Sequence, residues 1–124
     1  MKSIIVIPAR MQSSRLPGKP LIDINGQTLI QRTYNQCAKA FPKERIYIAT
    51  DDKQIESHCK AKNMQVVMTS KNCLTGTDRV AEVAEQIEAD YYINVQGDEP
   101  LMNPKDILDT ESAIQKYKGE VING

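Results

Sequence analysis

The sequence predicts an α/β protein in which helices cover both faces of a mostly parallel sheet. Four short apolar runs have the composition of buried strands, and each is followed by a stretch that suits a loop and a helix. A chain that alternates strands and helices in this way builds parallel strands joined by crossover helices. The 124 residues contain no internal repeat and suit a single domain.

The strands are predicted from runs rich in isoleucine, valine, tyrosine and methionine. They are 3–7 (SIIVI), 45–50 (RIYIAT), 64–68 (MQVVM) and 91–95 (YYINV). The final segment, GEVING at 119–124, has the pattern of a fifth strand. A sheet that ended there would leave apolar surface uncovered, so we expect residues 1–124 to be the first, incomplete half of a longer domain.

The helices are predicted between the strands. They are 28–41, 51–62, a stretch around 80–87, and one from 103 to about 117. Asp51 and Gln54 are interpreted as a capping pair for the second helix, and Pro104 as the first residue of the fourth. In such a sheet ligands bind at the carboxyl ends of the strands. We therefore expect the loops that follow the first and fourth strands to lie on the same edge.

The overall charge and composition exclude several classes of protein. Sixteen Lys and Arg residues balance sixteen Asp and Glu residues, so no whole-molecule field draws the protein to nucleic acid or to a membrane. Aromatic residues make up 5% of the chain, too few to stack the bases of a single strand. The amino-terminal apolar run ends at Pro8 and is too short for a signal peptide or a membrane span, so we expect a cytoplasmic protein.

The cysteine and histidine residues do not indicate a metal centre or a catalytic pair. Cys37, Cys59 and Cys73 are an odd set without CxxC spacing, which indicates reduced thiols rather than disulfides or a zinc site. His58 is the only histidine and precedes Cys59, but neighbours in a helical sequence do not face each other. We therefore expect no thiol–imidazole pair.

The loop after the first strand collects three cations, Arg10, Arg15 and Lys19. Fixed cations together with free backbone N–H groups are what a polyphosphate requires, and Arg binds phosphate oxygens in pairs. The alternative is a solvated loop whose cations pair with nearby acids. An ordinary P-loop is not expected, because Ser13 stands where its first glycine belongs and Pro20 where its hydroxyl belongs.

The segment NVQGDEP, 94–100, follows the fourth strand and carries Asp98 at its tip. A carboxylate there suits Mg²⁺, which prefers oxygen ligands and commonly binds one or two carboxylates, water and phosphates. The alternative is a turn in which Asp98 caps a backbone N–H. The segment TGTDR, 75–79, offers hydroxyls and a glycine for ligand contact. It is equally consistent with helix capping by Thr75 or Thr77.

Four motifs in this order, PARMQSSRLPGKPL, IATDD, TGTDR and NVQGDEP, resemble those of the 3-deoxy-manno-octulosonate (Kdo) cytidylyltransferases, or CMP-Kdo synthetases. That group belongs to a larger one that includes the sialic-acid cytidylyltransferases. The resemblance covers essentially the whole chain and matches the amino-terminal, nucleotide-binding half of the family. It implies a truncated Rossmann-like α/β fold of the nucleotide-diphospho-sugar transferase type.

The resemblance also implies a reaction: CTP and Kdo give CMP-Kdo and pyrophosphate, with Mg²⁺ as cofactor, for lipopolysaccharide synthesis. By the family's motifs, the catalytic residues are Arg10, Arg15, Lys19 and Asp98, with Asp98 binding the metal. The nucleotide-binding residues are Arg10, Ser13, Arg15, Lys19, Ser70, Thr75, Gly76, Arg79 and Gln96. The family's second metal carboxylate, much of its sugar site and its homodimer segment fall beyond this sequence. Two alternatives remain: a related acidic sugar of the 8-amino-Kdo or sialic-acid type, and a non-catalytic nucleotide-binding product.

Overall fold

The computed structural model describes residues 2–11, 19–71, 73, 76–95 and 121–123. In chain order its strands and helices are β1 (Ser3–Pro8), β2 (Asp23–Ile24), β3 (Gln27–Thr28), α1 (Leu29–Ala38), β4 (Ile46–Thr50), α2 (Lys53–Ala61), β5 (Val66–Met68), α3 (Gly76–Gln86), β6 (Tyr91–Asn94) and β7 (Val121–Asn123). Short 3-10 turns occupy Lys19–Leu21 and Lys43–Arg45.

Five of the strands form one sheet in the order β5-β4-β1-β6-β7, and every neighbouring pair is parallel. The chain moves outward from β1 through β4 to β5, then returns to the other side of β1 for β6 and β7. The order therefore reverses at β1, which is the topological switch point where α/β sheets bind ligands. The predicted parallel α/β sheet is confirmed, and the expected fifth strand is β7.

The central strand β1 shows why helices cover both faces. All six of its residues are buried, and successive side chains point to opposite faces. Ile5 and Ile7 pack in the apolar cluster that contains Ile30 of α1 and Ile55 of α2. Ile4 and Val6 pack in a second cluster, with Val80 and Val83 of α3. A strand buried on both faces has no polar alternation, which is why its continuous apolar run was a reliable signal.

The short β2–β3 hairpin was not predicted from the sequence. Its turn is Asn25-Gly26, and both residues have positive φ, 54° and 91°. Asn-Gly is the preferred pair for the two-residue hairpin turn because both central positions need this conformation. Arg32 on α1 donates to the Ile24 carbonyl oxygen and so ties the hairpin to the helix.

One predicted helix start is wrong, and one of the two alternatives for another is excluded. The residue that caps α2 is Asp52, whose Oδ1 accepts from the backbone N–H of Gln54 (2.8 Å) and Ile55 (3.1 Å). Asp51 was predicted for that role but lies one position too early. The helix α3 begins at Gly76, so Thr77 is inside the helix and is not its N-cap. Thr75 and the predicted helix at 103–117 lie outside the described residues.

We expect Tyr34→Phe to raise the free energy of unfolding by about 1 kcal/mol. Tyr34 is 2% exposed, and its hydroxyl has no hydrogen-bond partner within the described part of the chain. Removing an unsatisfied buried hydroxyl removes its desolvation cost. Burial is also the main reason why the pKa of Tyr34 is raised, so its ionised form disfavours the fold. The wild type should therefore lose stability above about pH 10, and the variant should lose less.

Tyr92→Phe is the matched control. The hydroxyl of Tyr92 donates to the Ile87 carbonyl at 2.7 Å and accepts from the Ala89 N–H at 2.9 Å. Its removal should destabilise the protein by about 1–2 kcal/mol. Urea unfolding followed by circular dichroism measures both. Equal losses in the two variants would contradict the assignment of Tyr34 as unsatisfied.

Candidate functional site

A cleft of about 600 Å³ opens at the carboxyl ends of β1, β4 and β5. The loops that follow these strands line it with Arg10 and Met11, residues 51–54, Lys71 and Cys73, and α3 contributes Arg79. The cleft therefore lies at the carboxyl edge of the sheet, where the sequence predicts the ligand site. It is the natural candidate for that site, because each lining loop follows a strand of the parallel sheet and the rigid sheet holds the loop in position.

The cleft carries more positive than negative charge. Arg10, Lys53 and Lys71 are exposed cations along its walls. Its two acids already have partners, since Asp51 pairs with the buried Arg79 and Asp52 caps α2. The exposed cations therefore face solvent without a matching acid in the cleft lining, an arrangement that favours an anionic ligand.

Arg10 is the residue of the predicted cationic loop that the structure places most fully. It is exposed two residues beyond β1, and the preceding Ala9 N–H donates to the Ala49 carbonyl at 2.9 Å, which fixes the direction of the chain. Lys19 begins the first 3-10 turn, but its side chain is outside what the structure describes. Ser13 and Arg15 lie outside the described residues, so the grouping of the three cations stays a prediction.

Arg79 is a buried charge that joins the walls of the cleft. It is 3% exposed, and its Nη1 donates to Thr69 Oγ1 at 2.6 Å and to the Ser70 carbonyl at 3.4 Å. The same nitrogen lies 3.6 Å from Asp51 Oδ1. Arg79 therefore connects the end of β4, the loop after β5, and α3. Sequence reasoning proposed Arg79 as a nucleotide contact. That role stays a prediction, and the described contacts show how the side chain is held in place.

Glu82 holds the loop after β5 from the same helix. Its carboxylate accepts from the Ser70 N–H at 2.8 Å and from Cys73 Sγ at 2.7 Å. Both hydrogen bonds lower the pKa of Glu82. Burial, and then the bond to Glu82, raise the pKa of Cys73 to about 11, so the thiol is a protonated donor at neutral pH. Sequence reasoning missed Glu82, although its spacing of three from Arg79 places both on one helix face.

The end of β6 lies beside the end of β1. Val6 is in register with Asn94, and the Val95 N–H donates to the Val6 carbonyl at 3.0 Å. The loops that follow β1 and β6 therefore leave the same edge of the sheet from neighbouring strands, as the sequence predicted. Gln96 and Asp98 follow the end of β6 by two and four residues but lie outside the described residues, as does Thr75. Their roles stay predictions, and Gly76 is placed as the first residue of α3.

The structure also gives the positions of His58 and of the three cysteines. His58 Nε2 lies 2.7 Å from the Thr28 hydroxyl, which links α2 to the cap of α1, and it does not line the cleft. Burial is the larger cause of its lowered pKa. All three cysteines are buried and form no disulfide in the structure. Within the described residues no group of three or more His, Cys, Asp and Glu side chains could hold a metal, and no helix could cross a membrane.

The sequence is similar to known cytidylyltransferases. A family model described as cytidylyltransferase matches residues 4–120. A 3-deoxy-manno-octulosonate cytidylyltransferase of Escherichia coli is 46% identical over 106 residues, which are 86% of this chain and 43% of the relative. The protein of the same name from Chlorobaculum tepidum is 45% identical over 120 residues, covering 97% and 47%.

Solved structures give the same result. A CMP:2-keto-3-deoxy-manno-octonic acid synthetase complexed with CTP matches with a TM-score of 0.89 and 42% identity, over 94% of this chain and 48% of that one. A cytidylyltransferase from Leptospira borgpetersenii matches with a TM-score of 0.82 and 25% identity, over 96% and 51%. The chain thus spans about half the length of the curated relatives it matches.

Proposed function

The chain belongs to the cytidylyltransferase family, and on that premise we propose that it is the amino-terminal, nucleotide-binding half of an enzyme that transfers CMP from CTP to an acidic sugar. The observation that carries the proposal is the 45–46% identity to relatives named for that reaction, which extends over 86–97% of the chain. The cleft supports it, because three exposed cations in its lining suit an anionic nucleotide.

The proposed sugar is 3-deoxy-manno-octulosonate, after the names of the relatives, and its product would feed lipopolysaccharide synthesis in the cytoplasm. The alternatives are an 8-amino-Kdo or sialic-acid type of sugar. The anomeric hydroxyl of the sugar would attack the α-phosphorus of CTP, forming a C–O–P bond as the bond to pyrophosphate breaks. The family resemblance also suggests a homodimer for the longer protein.

The chain's own groups would position the nucleotide and neutralise its charge, which is most of what phosphoryl transfer requires. Arg10, Arg15 and Lys19 would hold the oxygens that become pyrophosphate, with Ser13 beside them. The loops around Ser70, Thr75, Gly76 and Arg79 would hold the cytidine, and Gln96 would contact the nucleotide near the sugar. Mg²⁺, when bound, would neutralise phosphate charge, and Asp98 would hold it together with the phosphates.

Calorimetric titration of the 124-residue chain with CTP and Mg²⁺ tests nucleotide binding. We expect saturable, magnesium-dependent binding of CTP, and much weaker binding of ATP at the same concentration, since the name of the family specifies the base. The Escherichia coli relative is the positive control. A folded chain that bound neither nucleotide, or bound both equally, would contradict the proposal.

A second candidate is nucleotide binding without turnover, which the exposed cations Arg10, Lys53 and Lys71 of the cleft would be enough to support. Release of pyrophosphate after CTP, Kdo and Mg²⁺ are mixed distinguishes the two. Release above the uncatalysed rate supports the transferase. Binding of CTP without release supports the second candidate for this chain.

A further inference from the structure

The loop after β5 is one wall of the cleft. In this loop Lys71 lies between two residues, Ser70 and Cys73, that are held by hydrogen bonds to α3. Ser70 and Cys73 are both bonded to the Glu82 carboxylate, at 2.8 and 2.7 Å. Lys71 lies between them in the sequence, is exposed and lines the cleft. The position of Lys71 is therefore set by two contacts that end on one carboxylate of α3.

We propose that Glu82 is a positioning residue for nucleotide binding: it fixes the loop after β5 so that Lys71 faces the anion in the cleft. The inference rests on the proposed function, because it concerns the same cleft. Glu82 does not line the cleft, so it acts through the loop and not by touching the nucleotide.

The charges around the contact favour this arrangement. The pKa of Glu82 is lowered and that of Cys73 is raised, so at neutral pH a carboxylate accepts from a thiol. Arg79 lies close enough to lower the pKa of both groups, while Asp78 raises that of Cys73. Such anchors matter because ordering a flexible loop on binding costs free energy. A lysine on an unanchored loop would therefore add little to the affinity for the nucleotide.

The contact itself is tested without nucleotide, by alkylation of Cys73 with iodoacetamide at about pH 8, below the pKa of the thiol. Mass spectrometry of the cysteine peptides separates Cys73 from the two core cysteines. We expect Glu82→Ala to raise the rate at Cys73 at least about tenfold, because the thiol loses both its acceptor and a neighbouring negative charge. Glu85→Ala removes an exposed acid of the same helix and should leave the rate unchanged. An unchanged rate in Glu82→Ala would overturn the contact.

The link to the nucleotide is tested by a double-mutant cycle with CTP and Mg²⁺. We expect Lys71→Ala and Glu82→Ala each to weaken CTP binding about tenfold, and the double variant to bind no more weakly than either. If the double variant lost affinity by the product of the two single factors, the proposal would be overturned. Glu82→Ala would then weaken CTP binding by a route independent of Lys71, such as a general loss of stability. Glu82→Gln keeps an acceptor for Ser70 and should lose less affinity than Glu82→Ala. If Glu82→Ala unfolds, the cycle is run with Glu82→Gln.

The two failures are distinguishable. If the wild type bound no CTP, the proposed function of this chain would be contradicted, and the positioning role with it, whatever the alkylation rates. If the wild type bound CTP and the cycle were additive, only the positioning role would be overturned.

Discussion

Asp51→Asn is expected to lower the free energy of unfolding by about 2–3 kcal/mol, whereas Asp52→Asn should change it by less than about 0.5 kcal/mol. The two residues are adjacent, both line the cleft, and each change replaces a carboxylate with an uncharged amide of nearly the same size. Any difference between the variants therefore reports the contacts of each carboxylate and not the net charge of the protein.

The reason for the larger effect is Arg79. Its side chain is 4% exposed, and the Asp51 carboxylate lies 3.6 Å from it. Its hydrogen-bond partners among the described residues, the Thr69 hydroxyl and the Ser70 carbonyl, carry dipoles but no charge. Without the Asp51 carboxylate, the guanidinium of Arg79 would stay buried but lose its counter-charge. Removing one partner of a buried ion pair in this way is strongly destabilising. Asp51 is 23% exposed, so the expected cost is below that of a fully buried pair.

The effect at Asp52 is small because of its role as a cap. Its Oδ1 accepts from two N–H groups at the start of α2, and an asparagine oxygen can accept from the same groups. Asparagine and aspartate are about equally good at this position. Urea unfolding followed by circular dichroism measures both variants, with equal slopes showing that the unfolded states are comparable. Similar losses in the two variants would contradict the role assigned to the pair.

The same two acids show how far the sequence predicts this fold. Strand β1 could be recognised because a run of β-branched residues has few other uses in a globular protein. The choice between Asp51 and Asp52 could not be made, because both are good caps and only the position of Arg79, 28 residues further along, gives Asp51 a different partner. The β2–β3 hairpin was missed for another reason. Its Asn25-Gly26 signal is local and clear, but strands of two residues have no periodicity to support it.

The sequence likewise predicts some features of the candidate site and not others. The expectation that the loops after β1 and β6 share an edge follows from the parallel α/β pattern, and the parallel pairing of the two strands confirms it. The contacts of Glu82 could not be predicted, because they require α3 to return over the loop after β5. A spacing of three residues between Arg79 and Glu82 is the only local trace of that arrangement. Long-range contacts of this kind depend on packing, which composition and periodicity do not encode.

The second large effect concerns the triphosphate. Arg15→Ala and Lys19→Ala should each weaken binding of CTP by about 1.5–3 kcal/mol, because each would remove a charged hydrogen bond to phosphate in a desolvated site. Calorimetry with CTP and Mg²⁺ measures the loss. Lys60→Ala is the control, since Lys60 is 68% exposed, pairs with Glu56 on α2 and does not line the cleft. It should leave CTP binding unchanged.

CMP separates a phosphate contact from a general change in the cleft. If Arg15 and Lys19 hold the oxygens that become pyrophosphate, their removal should weaken CTP binding but leave the weaker binding of CMP nearly the same. Equal losses for CTP and CMP would show that the variants disturb the cytidine side or the fold. Unchanged CTP binding in both variants would return the loop to the alternative of a solvated surface loop with ion pairs of little energetic consequence.

Asp98→Asn should act on the metal dependence and not on the nucleotide alone. Asparagine keeps an oxygen ligand but loses the negative charge that a hard cation requires, so the affinity for Mg²⁺ in the presence of CTP should fall by about tenfold or more. Binding of CTP without the metal should be equal or slightly stronger than in the wild type, because a carboxylate near the phosphates is then absent. A loss of CTP affinity that was the same with and without Mg²⁺ would assign Asp98 to the turn and not to the metal. That outcome would leave the cations of the first loop as the main source of charge neutralisation for the phosphates.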